Sequence, residues 1–233
     1  MANRTVALVP ASGRGLRMES QIPKQFLTLG GLPLLAHSLR VLESSESIVE
    51  IILAVPETEL ERCRQEIVTR HGFTKVRHIV AGGTHRQDSV RNGLSAAVSG
   101  ADVVLVHDAV RPFLTLVMVE RVIEQAVKHG AAVVAIPMQD TVKQVGANGL
   151  IERTMDRSPL WLAQTPQAFR WSLFQEAHSK AEQDGFRGTD DAQLVERLGH
   201  TVAVVEGNTQ NIKITRREDL AIGEAILAAR GGR

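Results

Sequence analysis

Tyrosine is absent from the chain, and other aromatics are scarce: six Phe and two Trp in 233 residues. So few rings disfavour a protein that stacks single-stranded bases on aromatic side chains, and they leave the core to aliphatic residues. The single cysteine, Cys63, excludes an internal disulfide and a cysteine-based metal site within one chain. It sits in a Glu/Arg-rich stretch that reads as a surface helix, where an unreactive thiol is the expectation. Neither sign of charge is in excess, 27 Lys+Arg against 26 Asp+Glu, so no global basic field favours nucleic acid or an anionic membrane. A local phosphate-binding cluster is compatible with that balance. No apolar run reaches the length that spans a bilayer, and the opening MANRTVALVP lacks the basic region, long apolar run and cleavage site of a signal peptide. The expectation is a cytoplasmic protein whose partners include no nucleic acid and no membrane. What the chain does have is an ordinary share of hydrophobic residues, 43%, and of charged residues, 23%, enough to bury a sizeable core in one domain.

Short β-branched apolar runs alternate with helical spacing. Strands are expected at Thr5–Pro10, Ile48–Val55, Val76–Val80, Val103–Val106 and Ala131–Ile136, with helices at Leu34–Leu42, Glu57–Arg70, Gln87–Val98 and Val117–Val127 between them. Five strands alternating with helices predict an open α/β fold with a mostly parallel sheet. Ligands of such folds sit outside the carboxyl ends of the strands, which directs attention to the loops after Pro10, Val80, Val106 and Ile136. The rhythm breaks between Asp140 and Gln167. There Thr141–Val145, a Gly-Ala-Asn-Gly turn and Leu150–Met155 read as an antiparallel hairpin, expected to project as an arm. Helices at Trp171–Gln183 and Asp190–Leu198, a strand at Thr201–Val205 and a helix at Arg217–Arg230 complete the reading.

Two loops carry chemistry. PASGRGLRMESQIPKQFL places Gly13, Arg14, Gly15, Arg17 and Lys24 directly behind the first strand. Glycines let backbone amides approach an anion, and the cations can neutralise phosphate charge. Met18 stands where a dinucleotide fingerprint needs its third glycine, which disfavours a Rossmann oxidoreductase. HDAVRP, from His107 to Pro112, puts Asp108 at the end of an apolar strand, where a carboxylate needs a partner. Two readings stand side by side: an anchor for Mg²⁺, which keeps waters and bridges phosphates, or an Asp108–Arg111 ion pair that shapes the turn. His107 reads as a packed, hydrogen-bonded histidine.

The chain resembles the 2-C-methyl-D-erythritol 4-phosphate cytidylyltransferase family. The segments that carry the resemblance are PASGRGLRM with PKQFL, GGTHRQDSV, HDAVRP, QDTVK, TMDR with LWLAQTPQAF, GTDDA and EGNTQNIKIT. They occur in family order and span almost the whole chain. The resemblance implies one nucleotidyltransferase domain over residues 1–233, with a Rossmann-like sheet and a β-arm at about 139–166. It also implies CTP and methylerythritol phosphate as substrates, Mg²⁺ as cofactor and a homodimer formed through the arm. Arg17 and Lys24 would stabilise the transition state at the α-phosphate, joined as catalytic cations by Arg157 and Lys213. Pro10, Ala11, Ser12 and Gly13 would wrap the nucleotide, Gly83, Thr84 and Ser89 would read the cytosine, and Asp108, beside Ala109, would hold the metal. Arg111, Thr141, Arg157, Thr165, Thr189 and Lys213 would position the acceptor, with Arg157 serving the partner subunit's site. Ser12 stands where Ala is frequent, Thr84 where an acidic residue is frequent, and Val110 where Ala is frequent. The rivals are a ribitol-5-phosphate cytidylyltransferase and, from another class, a non-catalytic nucleotide-sensing module, which would not need Lys24, Asp108 and Lys213 together.

Overall fold

The computed structural model describes residues 3–13, 22–97 and 100–231. Strand β1 (Thr5–Pro10) is followed by a short hairpin of β2 (Thr28–Leu29) and β3 (Leu32–Pro33), then by helix α1 (Leu34–Ser44) and β4 (Ile48–Val55). A helical stretch then runs through Glu57–Glu59, α2 (Leu60–Arg62) and a wider turn at Cys63–Thr69. After it come β5 (Val76–Ala81), α3 (Arg86–Ala96), β6 (Val103–Val106), α4 (Leu116–His129) and β7 (Ala131–Pro137). The remainder is the hairpin β8 (Lys143–Val145) and β9 (Ile151–Thr154), then β10 (Trp161–Arg170), α5 (Trp171–Gln183), α6 (Asp191–Arg197), β11 (Ala203–Glu206) and α7 (Arg217–Gly231).

The main sheet has seven strands in the order β11-β7-β10-β6-β1-β4-β5. Its paired neighbours run parallel except β10, which is antiparallel to both β6 and β7. The mostly parallel α/β fold is therefore as the alternation predicted. Of the inner strands, β6 and β7 are apolar throughout, and β1 and β4 nearly so with Thr5 and Glu50 as exceptions, because both faces are covered. In β1, Ala7 and Val9 join the cluster that holds α1 and α4, while Val6 and Leu8 join the one that holds α3, α5 and α6. Strand β6 divides the same way, Val103 and Leu105 to one face, Val104 and Val106 to the other. Strand side chains alternate with a period of two, so one residue of slip would exchange the two cores.

Strand β10 was not anticipated, because Pro166 and three polar neighbours argue against an inner strand. The sheet accommodates them with a register shift against β7 between Ala163 and Gln167. The same strand corrects the arm's boundary. Residues from Trp161 onward belong to the main sheet, and the separate two-stranded sheet is β8 with β9, paired Lys143↔Thr154 and Gln144↔Arg153, with every one of its residues exposed. Cys63 is likewise no surface residue: it is fully buried, and burial pushes its thiol up to about 12. A thiol held protonated at neutral pH is a poor nucleophile.

Candidate active site

A cleft of about 1010 Å³ opens where the chain leaves the carboxyl ends of β1, β4, β5 and β6. Pro10, Ala11, Ser12 and Gly13 line it after β1; Gly83 and Thr84 after β5; Asp108 and Ala109 after β6. Lys24 and Lys213 bring ammonium groups to the same space, although 189 positions of sequence separate them. A β-carbon built on Gly13 would lie 3.5 Å from Lys24 Cε and 3.7 Å from Nζ, so this amine stands against the first loop. Glu57, Thr58 and Glu59, expected only as the start of a charged helix, also reach the cleft.

Asp108 is 6% exposed and makes two ion pairs. Arg86 Nε is 2.9 Å from Oδ1, and Lys213 Nζ is 2.7 Å from Oδ2. Burial alone would raise its pKa; Arg86 and then Lys213 outweigh it and hold the carboxyl far below its usual range. Arg86 also reaches Asp191, buried at 1% exposure, at 2.5 Å. Burial would lower the guanidinium's pKa, but Asp191 and Asp108 reverse that and hold it above its ordinary value. The alternative reading of Asp108, a side-chain ion pair with Arg111, does not hold: Arg111 N–H donates to the Asp108 backbone carbonyl at 3.0 Å, while its Nη1 donates to the carbonyl of Asn211 at 2.7 Å. Among the described residues no three metal-ligating side chains cluster. One ionised carboxylate in a cleft wall fits a hard cation that draws its other ligands from water and substrate phosphates.

The turn after β6 is built from inside. Asp108 N–H donates to Thr165 Oγ1 (3.0 Å). His107, fully buried, has Nε2 at 3.1 Å from the Arg111 carbonyl and Nδ1 at 3.2 Å from Thr165 Oγ1. Since a carbonyl only accepts, Nε2 carries the proton and Nδ1 accepts from Thr165. Burial pushes His107 down to about 4, despite the neighbouring Asp108 carboxylate, so the ring is neutral at pH 7. The Lys213 segment is stitched on by Ile214 N–H to the Val110 carbonyl (2.9 Å) and by Asn211 Nδ2 to the Thr165 carbonyl (2.9 Å).

A scan against protein families matches residues 5–229 to the family described as IspD, 2-C-methyl-D-erythritol 4-phosphate cytidylyltransferase. The chain belongs to that family. It is 50% identical to the 2-C-methyl-D-erythritol 4-phosphate cytidylyltransferase of Syntrophus aciditrophicus over 233 residues, the whole of both chains. It is also 50% identical to that of Geotalea uraniireducens over 226 residues, 96% of this chain and 97% of that one. Among solved structures, a 4-diphosphocytidyl-2C-methyl-D-erythritol synthase from Anaerococcus prevotii matches with a TM-score of 0.87 and 32% identity, over 97% of each chain. The 2-C-methyl-D-erythritol 4-phosphate cytidylyltransferase from Thermus thermophilus matches at 0.76 and 35%, over 97% of this chain and 98% of that one.

Against the roles that membership of the cytidylyltransferase family implies, the residues fall into two groups. Pro10 to Gly13, Lys24, Gly83, Thr84, Asp108, Ala109 and Lys213 meet in the cleft. Ser89 does not face it. It is fully buried, accepts from Gly83 N–H at 3.1 Å and lies 2.7 Å from Ser12 Oγ, so it props the cleft wall from behind. Thr165 (5% exposed) supports Asp108 from beneath. Thr189 is exposed and tied to Gln193 Oε1. Thr141 is exposed beside the β8–β9 hairpin, and Arg157, also exposed, donates to the Gln139 carbonyl; neither lines the cleft of its own chain. Arg17 lies outside the described residues. Sequence reasoning assigned no role to Arg86, although it sits within GGTHRQDSV. Its two carboxylate partners lie 22 and 105 positions away, and nothing local announces them.

Proposed function

We propose that this cleft is where the cytidylyltransferase transfers CMP from CTP to 2-C-methyl-D-erythritol 4-phosphate. A phosphate oxygen of the acceptor attacks the α-phosphorus of CTP. The new P–O bond forms as the bond to the β-phosphate oxygen breaks, and pyrophosphate leaves with the electron pair. Acceptor phosphate and triphosphate repel, so the site must supply positive charge and in-line positioning more than acid–base groups. The observation that carries this reading is the convergence of Lys24, Lys213 and an ionised Asp108 at the carboxyl ends of β1 and β6, beside a glycine-bearing loop.

In this reading Lys24 and Arg17 meet the charge that develops at the α-phosphate. Backbone groups of Pro10 to Gly13 hold the nucleotide, and Gly83 and Thr84 face its base, with Ser89 beneath them. Lys213 leaves Asp108 to engage the acceptor phosphate. Asp108 would hold Mg²⁺, which when bound neutralises triphosphate charge. Arg111 and Thr165 shape the acceptor side from below, and Thr141, Thr189 and Arg157 close over it, Arg157 in the partner subunit's site through a homodimer built on the β8–β9 hairpin. The whole chain acts as one nucleotidyltransferase domain with that hairpin as its arm, working in the cytoplasm. No helix among the described residues is long and apolar enough to cross a membrane. The test is pyrophosphate release from CTP with methylerythritol phosphate, ribitol 5-phosphate or no acceptor. Release with methylerythritol phosphate alone is expected; equal release with ribitol phosphate would transfer the assignment to that acceptor.

A further inference from the structure

The corner of the cleft formed by Ser12, Gly82 and Gly83 is unusually closed to side chains. A β-carbon on Gly82 would come within 2.3 Å of Ser12 Cβ, and one on Gly83 within 2.3 Å of Asp88 Cβ. Backbone and hydroxyl therefore supply the polar groups there, and their protons can be followed. Ala11 N–H donates to the Ala54 carbonyl and Gly82 N–H to the Val55 carbonyl, both at 2.7 Å. Gly83 N–H donates to Ser89 Oγ at 3.1 Å. Ser89 Oγ also lies 3.1 Å from the His85 carbonyl and 2.7 Å from Ser12 Oγ.

A serine hydroxyl has one proton and two lone pairs. Were Ser89 to give its proton to Ser12, its 3.1 Å contact with the His85 carbonyl would set two lone-pair oxygens face to face with no hydrogen between them. Only one arrangement gives every contact a proton: Ser89 donates to the carbonyl four residues back, a habitual bond for a helical serine, and accepts from both Gly83 N–H and Ser12 O–H. Ser12 Oγ, on the cleft lining, is left with lone pairs alone.

We infer that Ser12 is a specificity-determining residue: its hydroxyl, locked by Ser89 as an acceptor, selects the amino edge of cytosine against the carbonyl edge of uracil. The inference rests on the placement of the nucleotide base beside Gly83 proposed above. Cytosine carries a donor at N4, whereas a uracil ring carries an acceptor at the same position. The N–H groups of Ala11, Gly82 and Gly83 are spent inside the protein, so at Ser12 Oγ uracil's carbonyl meets an oxygen without a proton to share. A site built for one hydrogen-bond pattern rejects the inverse pattern through the groups left unpaired.

The experiment compares kcat/KM for CTP and UTP, with methylerythritol phosphate as acceptor, in the wild type, Ser12→Ala and Ser89→Ala. Removing the acceptor in Ser12→Ala lowers the CTP/UTP ratio on the order of tenfold. In Ser89→Ala the Ser12 proton is released to turn into the cleft, and the ratio falls by at least as much; thermal melting accompanies both variants. A fall of more than about threefold in both supports the assignment. A ratio within about threefold of wild type in either one overturns it, including the case where both nucleotides lose equally, which would mean that the hydroxyl pair only ties the two loops together. No turnover of either nucleotide by the wild type would instead remove the proposed reaction itself.

Discussion

Replacing Arg86 by Met removes the one cation that two buried carboxylates share. Nε at 2.9 Å from Asp108 and Nη1 at 2.5 Å from Asp191 are both lost. Asp108 keeps Lys213 at 2.7 Å, but Asp191, at 1% exposure, keeps among the described residues only the ion pair with His178, 3.5 Å away. Removing one partner of a buried ion pair costs about 3–5 kcal/mol, because the other charge stays desolvated. For a chain of this length each kcal/mol moves the melting temperature by roughly 2–4 °C, so the variant should melt about 6–20 °C below the wild type. The measurement is thermal unfolding of R86M, R86K and the R86M/D191N double variant. Lysine keeps the charge but not the fork that spans both carboxylates, so R86K should fall between wild type and R86M. The double variant should regain part of the loss, since the amide that replaces the Asp191 carboxylate carries no charge. Sign matters in the pH dependence. Both carboxyls are held below their usual pKa in the wild type, so their pairing stabilises above the carboxylate range and is lost as pH falls through it. The R86M deficit should therefore shrink toward acid pH, where protonation removes the unpaired charge. A variant that melts within about 2 °C of wild type at neutral pH would refute the reasoning, because that is no more than a single kcal/mol.

Lys24→Ala should lower kcat on the order of 10²-fold with little change in melting temperature, as expected for a cation that acts on charge developing at the α-phosphate; a near-normal kcat in a folded variant would remove it from the mechanism. Asp108→Asn should raise the Mg²⁺ concentration needed for half-maximal turnover, which titration of the chelator-stripped enzyme reads directly. His107 is buried neutral with its pKa lowered from 6.5 to about 4. Folding stability should therefore be lost as pH falls from 6.5 toward 4, where the unfolded chain binds the proton more readily, by at most about 3 kcal/mol. His107→Gln should flatten that part of the stability profile in denaturant titrations at each pH.

The parallel core was legible because its strands are short, β-branched and apolar on both faces, and the β8–β9 hairpin because its turn is rich in glycine and asparagine. Strand β10 was hidden for a physical reason. Gln167 is buried at 1% exposure because its amide donates to Asp190 and its oxygen accepts from Ala192 N–H, and Gln164 is satisfied by the Asn208 carbonyl. Polar residues enter an inner strand when distant groups pair with them, and those groups lie 23 to 44 positions away. The candidate site divides the same way. Its loops were located by the rule that ligands sit at the carboxyl ends of parallel strands; the loop residues themselves pointed to Lys24 and Asp108, and the resemblance gave their roles and added Lys213. The Arg86 bridge and the Ser12–Ser89 pair are long-range contacts, the latter across 77 positions, and no spacing rule reaches that far.

The central claim is direct transfer of CMP to an acceptor phosphate in this cleft, and the fate of CTP labelled separately at its α- and γ-phosphates tests it most directly. With methylerythritol phosphate and Mg²⁺ present, the α label should pass into a cytidine diphosphate adduct of the acceptor while the γ label leaves as pyrophosphate, one for one, and neither should move without the acceptor. Release of the γ label as orthophosphate, or pyrophosphate formation that proceeds equally with no acceptor, would contradict it.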